Sequence, residues 1–194
     1  EAYRTCFRQC RQIRVTGLDL TFREQVELFI NLISPDLVSR LPDPVILDIM
    51  RAYSDSFFVH PPIPHTDMHS VLKGARDMGL KIGLISNTGM TPGVAFRRFL
   101  EENGVLHLFD ILTFSDEVKL SKPAPEIFTM TLRSLDATPD QTVHVGDHVE
   151  NDVVGAKQCG LKTIWIEGFY EREDPSDPRT QPNIAVSGLG SVMP

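Results

Sequence analysis

The stretch from Thr142 to Lys157, TVHVGDHVENDVVGAK, constrains the fold more than any other part of the chain. Its first residues alternate and end at Gly146, which predicts a short strand followed by a sharp turn. Asp147 would then follow the carboxyl end of the strand, where open parallel sheets bind ligands. Asp147 and Asp152 share one short loop, and two such carboxylates repel each other unless a hard cation such as Mg²⁺ lies near them. A helix predicted from Val153 would point its amino end at the same place and attract an anion, so this loop predicts metal-dependent phosphate chemistry.

The first 60 residues have a helical pattern and no convincing strand. A capping box at Thr21 and Glu24 predicts the start of one apolar helix, and Pro42 and Pro44 open another. The prolines of the segment HPPIPH, which begins at His60, hold the chain extended and forbid a helix. We therefore predict a helical domain over residues 1–60, a linker over 61–66 and an α/β domain over 67–194.

Beyond the linker the pattern alternates between helix and strand. Besides the strand that ends at Gly146, strands are predicted at Leu80–Ile85, Ile111–Phe114 and Thr163–Ile166, with a last edge strand at Ile184–Val186. Residues 171–182 are rich in charge and proline, which is typical of a loop. Repeated helix–strand units predict a doubly wound parallel, Rossmann-like sheet covered on both faces.

Composition excludes several classes of partner. The formal net charge of the 194 residues is -7, and no basic stripe is present to meet a nucleic-acid backbone. No apolar run is long enough to cross a bilayer, which argues against a membrane protein. Three cysteines cannot form a complete disulfide framework, so a reducing compartment, the cytoplasm, is expected.

Polar residues follow three separate predicted strands or the turns after them. Ser86 and Asn87 follow the first strand, Lys122 stands in the sequence SKPAP, and Asp147 precedes Asp152 by four intervening residues. In this order the three segments strongly resemble motifs two, three and four of the haloacid dehalogenase-like hydrolases, over about residues 67–168. The helical segment before the linker resembles that family's cap domain, of the kind found in phosphoglycolate phosphatase-like members.

The resemblance implies a role for each of these residues. Ser86 and the Asn87 amide would donate hydrogen bonds to a phosphoryl oxygen, and Lys122 would lower the repulsion between the phosphate and the attacking carboxylate. Asp147 would bind Mg²⁺ directly, and Asp152 would support the metal through water or by orienting its neighbours. The implied activity is hydrolysis of a small phosphorylated metabolite through an aspartyl-phosphate intermediate.

Motif one of the family, which supplies the nucleophilic aspartate, has no good match in this chain. Asp19 is the nearest candidate, but the residues before it are too charged for a buried strand, and no second aspartate follows at the required spacing. The chain also begins at Glu1 instead of a methionine, so we expect a longer parent protein and an inactive fragment. In the family the strand that bears motif one lies between the strands ending at Ser86 and Gly146. Without it, those two strands should stand roughly 10 Å apart and unpaired, and the chain should be only marginally stable.

Two other functions stay open at this point. A non-catalytic binding protein of the same fold would lack motif one even in its intact form. A true haloacid dehalogenase needs no metal, and Asp147 after Gly146 argues against it. The substrate and the oligomeric state do not follow from the sequence, because cap residues carry no transferable code for substrate choice.

Overall fold

The computed structural model describes residues 1–170 and 176–193, and its N-terminal segment is helical. This segment contains α1 (Ala2–Val15), α2 (Phe22–Ile33), α3 (Leu37–Arg40) and α4 (Asp43–Ser56). The predicted capping box is present: the Glu24 amide donates to the Thr21 hydroxyl at 3.2 Å, and the Thr21 amide donates to the Glu24 carboxylate at 2.7 Å. α4 carries a proline in its first turn, where the missing N–H would have had no partner in the helix.

A proline-rich segment without regular structure leads from the helical segment into alternating helices and strands. These are α5 (Met68–Asp77), β1 (Gly83–Ser86), α6 (Gly93–Glu102), β2 (Ile111–Phe114), α7 (Ser115–Val118), α8 (Pro125–Leu135), β3 (Val143–Gly146), a π-helical segment (Val149–Val154), α9 (Gly155–Gln158), β4 (Lys162–Ile166) and β5 (Ile184–Val186). The buried core around α8 consists of Ile127, Phe128, Leu132, Ala156 and Leu161. The predicted α/β fold with parallel strands is confirmed.

The strands form two parallel sheets. β1 pairs with β2, so that Ser86 lies opposite Phe114, and β3 pairs with β4, which in turn pairs with β5. Ile184–Val186 is therefore the edge strand that the sequence predicts. Within residues 1–170 and 176–193, β1 and β3 belong to different sheets and are not hydrogen-bonded to each other, as expected for two strands without a shared neighbour.

A cavity of about 90 Å³ lies between β1 and β3. Gly83 and Ile85 line it from β1, Val143 and His144 from β3, and α8 closes it with Phe128 and other side chains. Each of the two strands thus has one backbone edge without a strand partner among the described residues. Unpaired edges of this kind readily accept another strand.

The helical segment packs against the α/β part through polar contacts and aromatic rings. Leu18 forms an antiparallel bridge with Leu120. The fully buried Ser121 hydroxyl lies 3.0 Å from both the Arg14 and the Leu18 carbonyl oxygens, which share its single hydrogen. The ring of Phe57, just after α4, lies 5.4 Å from that of Phe96 on α6. The division into domains at residues 60 and 66 stays a prediction.

Two predicted boundaries are wrong. The first strand begins at Gly83 and not at Leu80. The Ile82 amide donates to the Asp110 carboxylate at 2.7 Å, so it is not available for pairing with β2. The helix predicted from Val153 begins earlier, as a wider π-helical turn from Val149. Part of the loop predicted over 171–182 lies outside the described residues, and Pro178–Thr180 form a single helical turn. None of the helices in the described ranges combines the length and the apolar character needed to cross a bilayer.

Candidate active site

An ion pair between Lys122 and Asp152 is the centre of the candidate site. The Lys122 Nζ lies 2.6 Å from the Asp152 Oδ1, and the two side chains are 12% and 4% exposed. Lys122 comes from the turn before α8 and Asp152 from the π-helical segment after β3, 30 residues later in the chain. Two of the predicted site residues, from different motifs, are therefore in direct contact.

Asp152 has three donors around its carboxylate. Besides Lys122, the His144 Nε2 lies 3.0 Å from its Oδ1, and the His148 amide donates to its Oδ2 at 3.0 Å. Burial raises the pKa of this carboxyl, but the His144 hydrogen bond and the Lys122 charge outweigh burial and hold the pKa of Asp152 well below its usual range. Asp152 is therefore ionised, and it fixes the backbone directly after Asp147.

Gly146 is required by the position of Asp152. A Cβ at Gly146 would lie 2.3 Å from the Asp152 Cγ, closer than real side chains approach. The strand therefore has to end in a residue without a side chain so that the carboxylate can fold back against the backbone. This contact explains why glycine precedes Asp147 in the stretch on which the sequence prediction rests.

His144 is a site residue that the sequence analysis did not identify. Burial lowers the pKa of its imidazole, so the ring is neutral and its Nε2 must carry the hydrogen that it donates to Asp152. Its edge also contacts the Phe128 ring, with centroids 5.1 Å apart. A signal was present: a lone histidine between the valines of an apolar strand, two residues before Gly146, lies on the same face of β3 and needs a polar partner there.

Asn87 ties the loop after β1 to the turn that bears Lys122. Its Nδ2 donates to the Lys122 carbonyl at 2.9 Å, and the Lys122 amide donates to its Oδ1 at 2.8 Å. Ser86, the last residue of β1, directly precedes it. Through these contacts Ser86, Asn87, Lys122 and Asp152 lie at the carboxyl ends of β1 and β3, on one side of the molecule, although their chemical roles stay predictions.

Asp147 differs from Asp152 in having an available carboxylate. Its backbone is fixed because the Trp165 indole donates to the Asp147 carbonyl at 2.9 Å, and its side chain is partly exposed. Among the described residues, no hydrogen bond or ion pair occupies the Asp147 carboxylate, whereas both oxygens of Asp152 are engaged. The described ranges contain no group of three or more acidic, histidine or cysteine side chains placed to hold a metal. A single available carboxylate is the type of oxygen ligand that Mg²⁺ accepts together with water and phosphate oxygens.

Asp19 is buried in a separate polar cluster. Its Oδ2 lies 2.9 Å from the Arg14 Nε and accepts a hydrogen bond from the Ser115 hydroxyl at 2.6 Å. The Ser115 oxygen in turn accepts from the Thr88 amide at 3.0 Å, and Arg14 also donates to the Gly89 carbonyl. With a side chain that is 0% exposed, Asp19 is not available to attack a ligand, and it instead holds the helical segment against the loop after β1.

Comparisons with known proteins agree on one family. Residues 7–166 match the family model described as "Haloacid dehalogenase-like hydrolase". The chain is 30% identical over 149 residues to a glyceraldehyde 3-phosphate phosphatase of Methanopyrus kandleri, covering 75% of this chain and 61% of that protein. It is also 30% identical over 129 residues to a phosphoserine phosphatase of Thermus thermophilus, covering 66% of this chain and 49% of that protein. The chain thus spans about half to three-fifths of these curated relatives.

A solved structure has the same fold over almost the whole chain. The crystal structure of a HAD phosphatase from Thermococcus onnurineus superposes with a TM-score of 0.62 at 23% identity, covering 98% of this chain and 88% of that one. At this level of identity the likeness concerns the fold alone.

Proposed function

This chain belongs to the haloacid dehalogenase-like hydrolase family, and from that premise we propose that the protein is a Mg²⁺-dependent phosphatase acting on a small phosphorylated metabolite. The observation that carries the proposal is the contact of Lys122 with both Asp152 and Asn87, which brings three motifs to one place. The two curated relatives are named for a triose phosphate and a phosphoamino acid. A small phosphorylated metabolite is the substrate class that these names share.

Lys122 and the loop after β1 would hold the phosphoryl group. Asp152 fixes the ammonium of Lys122 at 2.6 Å, and Asn87 fixes its backbone, so the positive charge is in place before a ligand arrives. The Ser86 hydroxyl and the Asn87 amide follow β1 and would donate to the phosphoryl oxygens. Donors fixed in advance stabilise the charge that develops in a transition state more than mobile ones do.

Asp147 would hold the Mg²⁺ ion. Asp152 would orient Asp147 by accepting from the amide of the next residue, His148. When bound, the ion would neutralise charge on the phosphoryl oxygens and orient the group for attack. The protein's own contribution is the fixed backbone of Asp147, held by Trp165 on one side and by the His148–Asp152 contact on the other.

The three cysteines are free thiols, which supports a reducing compartment such as the cytoplasm.

The nucleophile would come from a further strand. β1 and β3 each present an unpaired edge to the cavity between them, among the residues described. A parallel strand paired with both would end beside Ser86 and Gly146, close to Lys122, and an aspartate following it could form an aspartyl-phosphate intermediate. Asp19 cannot take this role while it is paired with Arg14. By this proposal the 194-residue chain alone is an inactive part of a longer enzyme.

A non-catalytic binding protein is the second candidate. It is favoured by one observation, that Asp19, the candidate nucleophile in this sequence, is buried in an ion pair. Such a protein would keep the loop after β1 and Lys122 but would release no phosphate. The coding sequence just upstream of Glu1 distinguishes the two candidates, because the enzyme requires an aspartate after an apolar strand there.

The test is phosphate release by the chain extended through the upstream coding sequence. We expect turnover of phosphomonoesters that requires Mg²⁺ and is abolished by Asp147→Ala, whereas the control Asp140→Ala, an exposed aspartate before β3, keeps full activity. The 194-residue chain should release none. An extended chain that has the aspartate but hydrolyses no phosphomonoester, or an Asp147→Ala variant with undiminished Mg²⁺-dependent turnover, would refute the proposal.

A further inference from the structure

Two adjacent residues directly after β2 hold both ends of the loop that joins β1 to α6. The Ser115 oxygen accepts from the Thr88 amide at 3.0 Å, near the start of this loop. The Asp116 carboxylate accepts from the Gly93 amide, at the end of the loop, with its two oxygens 3.2 and 3.1 Å away. Thr88, Ser115 and Asp116 are each at most 4% exposed. Because a hydrogen bond is stronger in a buried environment of low dielectric constant than in water, both ends of the loop are fixed.

The helical segment contacts Ser115 and the same loop from the other side. Ser115 has a single hydroxyl hydrogen, which it donates to the Asp19 Oδ2 at 2.6 Å. With that hydrogen directed at Asp19, the lone pairs of the Ser115 oxygen are left to accept from the Thr88 amide. Arg14, which is paired with Asp19, donates to the carbonyl of the next loop residue, Gly89. Asp19 therefore sets the orientation of the Ser115 hydroxyl.

The loop residue before Thr88 belongs to the candidate active site. Asn87 exchanges two hydrogen bonds with the backbone of Lys122, at 2.9 and 2.8 Å. Asn87 and Thr88 share one planar peptide bond, so the contact with Ser115 fixes the orientation of that plane beside the Lys122 backbone. In the proposed function Asn87 and Lys122 hold the phosphoryl group, and their relative position has to be correct before the ligand binds.

We propose that Asp19 is a positioning residue for the phosphate site and acts through Ser115 on the loop after β1. This inference rests on the proposed function. Asp19 does not touch the ligand in this role: its carboxylate orients Ser115, and Ser115 anchors the Thr88 amide. A loop without this anchor would be competent to bind phosphate for only part of the time, and the apparent affinity falls in proportion to the competent fraction.

The charge of Asp19 distinguishes this role from a purely electrostatic one. A carboxylate close to the loop repels a phosphate, so its removal would by electrostatics alone strengthen phosphate binding. The loss of positioning has the opposite effect and weakens binding. The direction in which the phosphate affinity changes in Asp19→Ala therefore separates the two roles.

The test measures the affinity of the 194-residue chain for inorganic phosphate by isothermal titration calorimetry, which needs no turnover. Ser115→Ala removes the acceptor of the Thr88 amide, and we expect about a tenfold loss of affinity, the upper end of what one net hydrogen bond supplies. Asp19→Ala keeps that acceptor but frees the Ser115 hydroxyl to turn, so we expect about a threefold loss. The double variant should lose no more than Ser115→Ala alone, because Asp19 acts through Ser115.

The matched control is Thr131→Val on α8. It also removes a buried hydroxyl, one that lies 2.8 Å from the Thr113 hydroxyl on β2 and away from the loop. Its phosphate affinity should equal that of the unchanged chain. Unfolding of each variant in urea gives its folded fraction, by which the measured affinity is corrected, so that a loss of stability is not mistaken for a loss of positioning.

Hydrogen exchange followed by NMR tests the same inference in the unchanged chain, and so does not depend on whether a variant folds. Phosphate that binds the anchored loop must in turn favour the anchored state. At a saturating phosphate concentration we expect exchange of the Thr88 amide to slow at least about tenfold. The Thr131 amide, in the middle of α8, reports stabilisation of the whole fold and should slow less. Equal slowing at both amides, or none at Thr88, would contradict the inference.

The outcomes also separate this inference from the proposed function. If phosphate binds equally well to the unchanged chain, Ser115→Ala and Asp19→Ala, or more tightly to Asp19→Ala, then Asp19 has no positioning role and the proposed phosphatase function stands. If the losses in the single variants multiply in the double variant, Asp19 does not act through Ser115. If the unchanged chain binds no phosphate, or if Lys122→Met binds it equally well, the phosphate site and this inference fail together.

Discussion

The ion pair between Lys122 and Asp152 should contribute measurably to folding. In Lys122→Met the Asp152 carboxylate stays buried without its cation, and breaking a buried pair in this way costs about 3–5 kcal/mol. We expect the lower end, about 3 kcal/mol, because His144 and the His148 amide still donate to Asp152. Asp152→Asn keeps the volume and leaves Lys122 without a counter-charge, but Lys122 is the more exposed partner and can still donate to the amide oxygen, so we expect about 2 kcal/mol.

The double variant Lys122→Met/Asp152→Asn removes both charges and should be destabilised by less than the sum of the single variants. We expect a coupling free energy of about 2 kcal/mol, within the range for charge-assisted hydrogen bonds between shielded groups. The assay is equilibrium unfolding in urea at pH 7, followed by the fluorescence of Trp165, which is 7% exposed and contacts the site, and by far-UV circular dichroism. The control cycle uses Lys73 and Asp77, 2.8 Å apart but 70% and 65% exposed, for which we expect less than about 0.5 kcal/mol.

The pH dependence gives an independent check. The pKa of Asp152 is depressed in the folded chain, so its stabilising effect is complete above the ordinary pKa of about 4 and is lost as the pH falls towards the depressed value. The coupling should therefore be smaller at pH 3 than at pH 7. A coupling below about 0.5 kcal/mol at pH 7, equal to that of the exposed control pair, would refute the structural reasoning about the site.

Three further substitutions test other parts of the structure by the same unfolding assay. Gly146→Ala should destabilise the chain by at least about 2 kcal/mol, because the new methyl group would lie 2.3 Å from the Asp152 Cγ. Asp19→Ala should cost about 3–5 kcal/mol, because it leaves the shielded Arg14 without a counter-charge, although Arg14 still donates to the Gly89 carbonyl. Asp116→Asn should keep or raise the stability at pH 7: burial raises the pKa of Asp116, so its ionised form opposes folding, and an amide oxygen can still accept from the first amide of α6.

Each of these substitutions has a control or a contrary outcome. Gly188→Ala, at an extended position where a Cβ meets no atom within 4 Å, should change the stability little. Asp48→Ala, an exposed aspartate on α4, is the control for Asp19→Ala. A clear loss of stability in Asp116→Asn at pH 7 would show that the ionised carboxylate is needed where it lies.

The sequence pattern alone predicts the helices and strands that carry the site, and the edge of the sheet at which the site residues lie. Alternation that ends at a glycine predicts β3, and carboxyl ends of parallel strands meet at one edge, so Lys122 and Asp152 were expected near each other before any contact was known. The capping box of α2 and the edge strand β5 follow from equally local rules. These features depend on residues close together in the chain, which is why a sequence can reveal them.

Only the tertiary structure shows which of these side chains are buried and paired and which are available to a ligand. Asp147 and Asp152 look alike in the sequence. Asp152 is buried against Gly146 and accepts from three donors, whereas the carboxylate of Asp147 has no partner among the residues that the structure describes. His144 belongs to the site because it contacts Asp152, 8 residues later in the chain. Asp19 is buried and bound by Ser115, 96 residues later, so it is not available as a nucleophile. The charge state and availability of a carboxylate depend on burial and on neighbours brought together by folding, and no local pattern in the sequence encodes them.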